Sequence, residues 1–364
     1  MICRACGSGG LHRVLDLGKV PAADDFPPAS RPVRPDEASH PLAMDLCPAC
    51  GLAQLAEDDT VTAEPRGVEP QALVDQAADA VQRVADAGWL RGTTMREFGS
   101  PHGGTWLPLL ARRGYRPADE PDRADVVLDS FGIMHEPDQR AAFRQRAAAT
   151  SEDGVLLLQY HSLAAIVAGR QWNSLRHGHF AYYSMTALAR LLDDAGMSPV
   201  TAWEFDLYGG TVLVAAVHGR VNPEDSVQRI LAGEAGLADP EVVRGLQHSV
   251  SQHVTALRRW LAAEQDAGRR VYAYGAASRA VALFCMAGVN HDWVGAVADA
   301  SPAKQGRRMP GTNVAIVSPD ELIAADPDRV LLTLPDLLPE VAARYPALTG
   351  RWVTDSPDHG FVIA

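Results

Sequence analysis

Hydrophobic and polar positions along the chain follow two alternating periods. Over residues 71–87 the apolar side chains Leu73, Val74, Ala77, Ala80, Val81, Val84 and Ala85 recur at helical spacing, which predicts a helix. A short strand from residue 94 then ends in the glycine-rich turn Gly99-Ser-Pro-His-Gly103-Gly, and a helix is expected over 106–113. Further strands are read at 124–131, 154–160, 200–205 and 211–217, the last preceded by the turn Tyr208-Gly-Gly. The chain returns to helical spacing at 223–267, through Val227, Ile230, Leu231, Val254, Leu257, Trp260 and Leu261. A second strand, turn and helix follow at Tyr272-Ala-Tyr-Gly275-Ala-Ala-Ser278-Arg279, and later strands are expected at 293–299, 314–317 and 329–334.

Strands alternating with helices define an α/β chain built on two Rossmann-like, doubly wound units, each with a glycine turn at a helix start. The first unit reads as shortened. A strand, a crossover helix and the next parallel strand need about thirty residues, so the stretch 94–131 holds one such step. No second strand ending in a ribose-binding carboxylate is evident, and the acids in range, Asp119, Glu120 and Asp122, fall in a proline-flanked loop.

At 364 residues the chain exceeds one core, and the acidic, proline-containing stretch 57–70 marks an early boundary. Three units are expected: residues 1–66, 67–220 and 221–364. The net charge of −12, without a basic block, argues against a nucleic-acid partner. No apolar run is long enough to cross a bilayer and no charged leader precedes an apolar stretch, so no membrane partner and a cytoplasmic location are expected.

Cysteine adds the first chemistry. Cys3 and Cys6 form one C-x-x-C and Cys47 and Cys50 another, and two such pairs supply the four thiolates of a closed, structural zinc site. Disulfides are the competing reading, disfavoured without an export signal. A small N-terminal unit with few long elements needs such a staple. Cys285, inside an apolar helical run, reads as a core residue.

The densest chemistry lies at Arg176-His-Gly-His-Phe-Ala-Tyr-Tyr-Ser. Four groups able to donate, accept or move a proton, His177, His179, Tyr182 and Tyr183, crowd a few residues. On an extended segment His177, His179 and Tyr183 would share one face. A partly buried polar loop is the bland alternative, but such groups rarely gather in a loop without a site. Lys304, Arg307, Arg308 and Arg279 lie near the expected ligand edge of the last unit and could neutralise a diphosphate or form an ordinary solvated loop.

With these stretches in place the chain resembles the sugar C-methyltransferases of deoxysugar biosynthesis, which act on nucleotide-linked keto sugars. The likeness is carried by Cys3-x-x-Cys6, Leu17-Gly-Lys-Val-Pro-Ala-Ala-Asp-Asp-Phe, Pro41-Leu-Ala-Met-Asp-Leu-Cys-Pro-Ala-Cys-Gly, Tyr274-Gly-Ala-Ala-Ser-Arg and Asp299-Ala-Ser-Pro-Ala-Lys-Gln-Gly. It implies a zinc unit, a middle unit for S-adenosylmethionine near Glu97, Gly99, Ser100 and Gly103, and a nucleotide sugar lying between the middle and last units. Substrate contacts are then expected from Arg176, Tyr208, Gly275, Ser278, Arg279, Asp299 and Lys304. The match places His179 at the general base and His135 at a second active-site histidine, with His177 and Tyr182 beside them.

The departures fall on one side. The family loop Tyr-His-Glu-His is Arg176-His177-Gly178-His179 here, Tyr208 replaces a histidine, and Pro101 in the cofactor turn lacks an amide donor. Residues 57–71 carry no tyrosine where the family has one. The implied activity is methyl transfer to a carbon after α-proton abstraction. The alternatives are donor-independent enolate chemistry, namely isomerisation, epimerisation or elimination, and a silent partner of an active paralogue.

Overall fold

The structure, a computed structural model, describes all residues except 61–67, 101–102, 120 and 357–359. Pro101, half of the boundary stretch and Glu120 therefore lie outside the described residues. The chain begins with strands β1 (His12–Val20), β2 (His40–Leu46) and β3 (Ala53–Leu55), followed by helix α1 (Gln71–Asp86). The middle stretch runs β4 (Thr94–Phe98), α2 (Leu107–Ala111), β5 (Arg116–Pro117), β6 (Ala124–Ser130), α3 (Gln139–Ala149), β7 (Thr150–His161) and α4 (Leu163–Ala168). It continues through β8 (Ala181–Tyr182), α5 (Met185–Asp194), β9 (Met197–Phe205) and β10 (Thr211–His218). Helices α6 (Asp225–Gly233) and α7 (Pro240–Asp266) lead to β11 (Val271–Tyr274), α8 (Ser278–Ala287), β12 (Val297–Ala298), β13 (Ile316–Val317) and α9 (Pro319–Ala324). The chain closes with β14 (Arg329–Leu332), α10 (Leu338–Arg344), β15 (Trp352–Ser356) and β16 (Gly360–Ile363).

Among the described residues three sheets result, in the orders β1-β2-β3-β8, β5-β4-β6-β7-β10-β9 and β13-β12-β11-β14-β15-β16. The second and third have parallel centres, β4 with β6 and β7, and β12 with β11, β14 and β15, each ending in an antiparallel edge. Buried apolar runs such as Leu156, Leu157 and Leu158 on β7 suit a sheet covered on both faces. In the second sheet the strand order reverses between β4 and β6, in the third between β11 and β14. Both crevices open at carboxyl ends, at Gly99 and Gly275, where ligands settle in such sheets.

Some elements differ from the sequence reading. Helix α2 is five residues long, because Pro108 opens it and the chain turns at Gly114, where φ is +91°. A second strand does exist in the middle sheet, but β5 has two exposed residues at the edge, and Pro117 has no amide to extend a ladder. The strand expected at 293–299 narrows to β12 after a turn through Trp293. On α1 the inner face is Gln76, Ala77, Ala80, Val81 and Val84, while Val74 is exposed.

The N-terminal sheet does not stand apart. Leu15, Leu17, Val20 and Met44 share one apolar core with Leu257 and Leu261 of α7 and Phe284 of α8. Full burial of each such side chain contributes about 1.5–3 kcal/mol. A buried ion pair reinforces the seam: Arg308 Nη1 donates to Glu37 Oε2 at 2.8 Å, and Arg307 Nη1 donates to the Phe26 carbonyl at 2.7 Å. These two arginines are consumed in fastening the first unit to the last, and they are not among the residues lining the cleft, which corrects the diphosphate reading for them.

Candidate active site

The two cysteine knuckles are built alike. The Gly7 amide donates to the Cys3 carbonyl and the Gly51 amide to the Cys47 carbonyl, at 2.9 and 2.8 Å, and both glycines have φ above +70°. Each turn thus needs a left-handed residue right after its cysteine pair. All four sulfurs lie within 4.8 Å of one another, with Cys3 to Cys50 at 3.5 Å and Cys6 to Cys47 at 3.6 Å. These are not disulfides. A zinc tetrahedron with 2.3 Å bonds has edges of about 3.8 Å, so the donor set fits the ion. Cys285 lies apart, half-buried on α8.

The histidine loop belongs to that same unit. Strand β8 adds to the first sheet, Ala181 pairing with Gln54 and Tyr182 with Ala53. Gly178 sits at φ +76°, and its amide donates to Asp58 Oδ2 at 2.7 Å. This left-handed kink breaks the expected alternation and splits the two histidines. His177, 2% exposed, turns into the N-terminal unit with Nε2 3.1 Å from the Pro41 carbonyl, and burial draws its pKa down. His179 turns into the cleft, its ring centre 4.4 Å from that of His135 in an edge-to-face contact. Tyr182 accepts from the Arg176 amide at 3.1 Å and donates to the Ser174 carbonyl at 3.3 Å, and Tyr183 is buried against Gln139. His135, His177 and Tyr182 are therefore behind the wall that His179 presents.

Arg176 is the hinge of the arrangement. Its Nε lies 2.8 Å from Nε2 and 3.4 Å from Nδ1 of His179. A donor within reach of both ring nitrogens cannot lie along either in-plane lone pair, so the guanidinium covers the face of the imidazole. Its Nη1 bonds Ser278 Oγ at the start of α8, joining the histidine loop to the last unit.

The cleft, about 280 Å³, runs between the two glycine turns. Glu97, Gly99, Ser100, Gly103, Arg176, His179, Tyr208, Gly275, Ser278, Arg279, Asp299 and Lys304 all line it. Several are already engaged. Glu97 accepts from the Trp106 amide at 2.7 Å and from the Thr105 hydroxyl, shaping the first turn. Asp299 accepts from the Ala276 and Ser301 amides, both at 2.8 Å, and Lys304 donates to the Ala276 carbonyl at 3.0 Å, so this pair holds the second turn. Gly275 has φ +95° and a Cβ there would meet Thr333 Oγ1 at 2.6 Å, which leaves glycine alone suitable.

The cleft is polarised. At the first turn Glu69 stands with Glu97, and burial together with the Glu97 charge raises its pKa. At the second turn burial, then the neighbouring Arg176, pulls Arg279 down to about 10. Among the described residues the Arg279 guanidinium has no hydrogen-bond acceptor, only the Tyr208 ring 5.7 Å away and the charge of Asp336. Tyr208 itself sits at φ +57°. Glu69 and His161 are among the lining residues that were not singled out from the sequence. Glu69 lay in a stretch read as a boundary, and His161 comes one residue after the strand that ended at Tyr160 in the reading. A histidine at the carboxyl end of a central parallel strand was the available signal.

Comparison with known proteins fixes the class. A model described as a zinc binding domain matches residues 3–64, one described as a methyltransferase domain matches 63–202, and one described as a C-methyltransferase C-terminal domain matches 206–357. The protein is a transferase of the methyltransferase class. C-methyltransferase NovU of Streptomyces niveus is 24% identical over 414 residues, an overlap spanning 100% of this chain and 97% of NovU. The chain belongs to the C-methyltransferase family that carries these three domains in this order. Among solved structures, magnesium protoporphyrin IX methyltransferase from Synechocystis PCC 6803 is 14% identical and covers 40% of this chain and 84% of its own, with a TM-score of 0.31. The 1,6-didemethyltoxoflavin-N1-methyltransferase of Burkholderia thailandensis, also 14% identical, covers 46% and 96%, with a TM-score of 0.31. Overlaps of that size assign no ligand to this chain. Among the described residues no helix is long and apolar enough to cross a membrane.

Proposed function

We propose that the chain methylates the carbon next to the ketone of a nucleotide-linked keto-deoxysugar, drawing the methyl group from S-adenosylmethionine. The observation that carries this reading is the polarity of the cleft. Carboxylates Glu69 and Glu97 mark one glycine turn, and the guanidiniums Arg176 and Arg279 mark the other. An acidic end suits a cationic donor, and an Arg279 with five N–H groups and no acceptor among the described residues suits a diphosphate.

The roles divide as follows. S-adenosylmethionine, when bound, supplies a methyl group on a positively charged sulfur. Gly99, Ser100 and Gly103 give backbone room for it, and Glu97 keeps the turn in shape. His179 takes the α-proton of the sugar, and the electron pair of that C–H bond stays with the α-carbon, which becomes the nucleophile. His135 supports the His179 ring by its edge, and Arg176 steadies the face. The arginine takes up part of the task left by the missing glutamate and tyrosine of the family loop. Zinc is structural, and a cytoplasmic, reducing setting would keep its thiols ready. Residues 1–66, 67–220 and 221–364 would act as the three working units.

The test uses the purified zinc-loaded chain, a thymidine-diphosphate keto-deoxysugar and S-adenosylmethionine. Mass spectrometry should show one methyl group gained by the sugar, and calorimetry should show binding of the donor. No donor binding at millimolar concentration would remove methyl transfer and leave donor-independent enolate chemistry in its place.

A further inference from the structure

We propose that His161 is a further catalytic residue, donating a hydrogen bond from its imidazole N–H to the substrate oxygen that gains charge as the enolate forms. The inference rests on the carbon-acid reaction proposed above and adds a group to it.

His161 closes β7, a central strand of the middle sheet, and is one of the residues lining the cleft. Its backbone is paired with Thr211 of β10, so the position is set by regular sheet and not by a loop. The side chain is 8% exposed, and among the described residues its enclosed Nε2 has no hydrogen bond of good geometry, with the Gln171 side chain, whose Oε1 is likewise unpaired, and the Tyr208 main chain as polar neighbours. Leaving a buried polar nitrogen unpartnered costs about 1–3 kcal/mol. A folded chain tolerates such a group where a ligand or a reaction makes use of it.

Charge says which kind of ligand atom fits. Arg279 and Arg176 both act on His161, and Arg176 also covers the face of His179, so the base proposed above and His161 share one guanidinium. Burial first, then these two cations, pushes His161 down to about 3. The ring stays neutral at working pH, with one nitrogen protonated and available as a donor. Such a group is too weak a base to take the α-proton. A fixed neutral donor in a positive field instead favours an oxygen that becomes negative in the transition state. No bond to His161 forms or breaks. The α-proton passes to His179, the C–H pair enters the new carbon–carbon double bond, and the carbonyl π pair moves onto the oxygen facing His161.

The experiment is solvent deuterium exchange into a thymidine-diphosphate keto-deoxysugar, followed by NMR without methyl donor, so that enolate formation alone is read. His161→Leu should lower the exchange rate roughly a hundredfold to a thousandfold while leaving the dissociation constant of the nucleotide sugar unchanged. His161→Gln, which keeps an N–H, should recover most of the rate. If leucine prevents folding, His161→Ala assayed with and without added imidazole takes its place, and restored exchange is the expected result. Unchanged exchange in the leucine variant, an equal loss in both variants, no response to imidazole, or a loss that follows weakened binding overturns the role of His161. Exchange that persists in His161→Leu yet vanishes in His179→Ala removes only this proposal. Absence of exchange in the unmodified protein removes the carbon-acid reading itself, and this role with it.

Discussion

The Gly178 amide donates to the Asp58 carboxylate across 2.7 Å, so the middle of the histidine loop is pinned by the N-terminal unit. The same carboxylate also accepts from the Thr60 amide and hydroxyl, at 2.9 and 2.7 Å, which fixes its direction. Asp58→Ala removes the pin and leaves the β3 to β8 pairing in place. A lost hydrogen bond of this charged type is worth about 1.5–3 kcal/mol, and part of that should appear as a mispositioned His179. The expected outcome is a drop in kcat of roughly tenfold or more with zinc content unchanged, read by steady-state methylation and metal analysis. An unaltered kcat would mean that strand pairing alone holds the loop.

The zinc knuckles act on the same loop from further away. Cys47 and Cys50 follow β2 and precede β3, and β3 carries β8. Cys47→Ser, or treatment with a strong chelator, should therefore loosen the first sheet and silence the enzyme together, with zinc stoichiometry and activity falling in step. Structural zinc contributes on the order of 10 kcal/mol to a small unit, so a partial effect is not expected. Full activity in a zinc-free sample would separate the knuckles from the site.

Much of this was readable from residues. The cysteine spacing, the two glycine turns and the density of titratable groups around His179 follow from local pattern, because each depends on neighbours close in sequence. What escaped depends on partners far along the chain. Nothing near Ala181 reveals that it pairs with Gln54, and nothing near Arg308 reveals that Glu37 already holds it. His177 and His179 look equivalent in sequence, yet a left-handed Gly178 sends one into the N-terminal unit and the other into the cleft. His161 was passed over because a strand end is recognised by its apolar run, and this cleft-lining histidine comes just after that run stops.

Arg279 gives the sharpest test of the substrate's charge. Drawn down to about 10, it remains a cation throughout the neutral range, so any effect of its removal should be independent of pH there. Arg279→Gln deletes the charge while keeping a donor. Charge-assisted hydrogen bonds contribute about 1.5–3 kcal/mol, which predicts a rise in KM for the nucleotide sugar of roughly tenfold to a hundredfold, with kcat little altered. Arg279→Lys should recover part of it. An effect on kcat alone would place the diphosphate elsewhere.

Stability should carry a pH signature from a residue outside the cleft. Burial pushes the Glu234 carboxyl up to about 7, although the Met185 amide donates to it at 2.6 Å and pulls the other way. The folded chain thus holds this proton more tightly than the unfolded chain, whose glutamate titrates near about 4.3. The resulting contribution is complete below that value and is lost as pH rises through about 7. Glu234→Gln removes the titration and keeps an acceptor for the Met185 amide. Thermal unfolding across this window should show the variant gaining on the unmodified protein as pH rises, by up to roughly 3 kcal/mol above neutrality. A difference that stays constant from acid to alkaline pH would show that the Glu234 carboxyl is not the group being titrated.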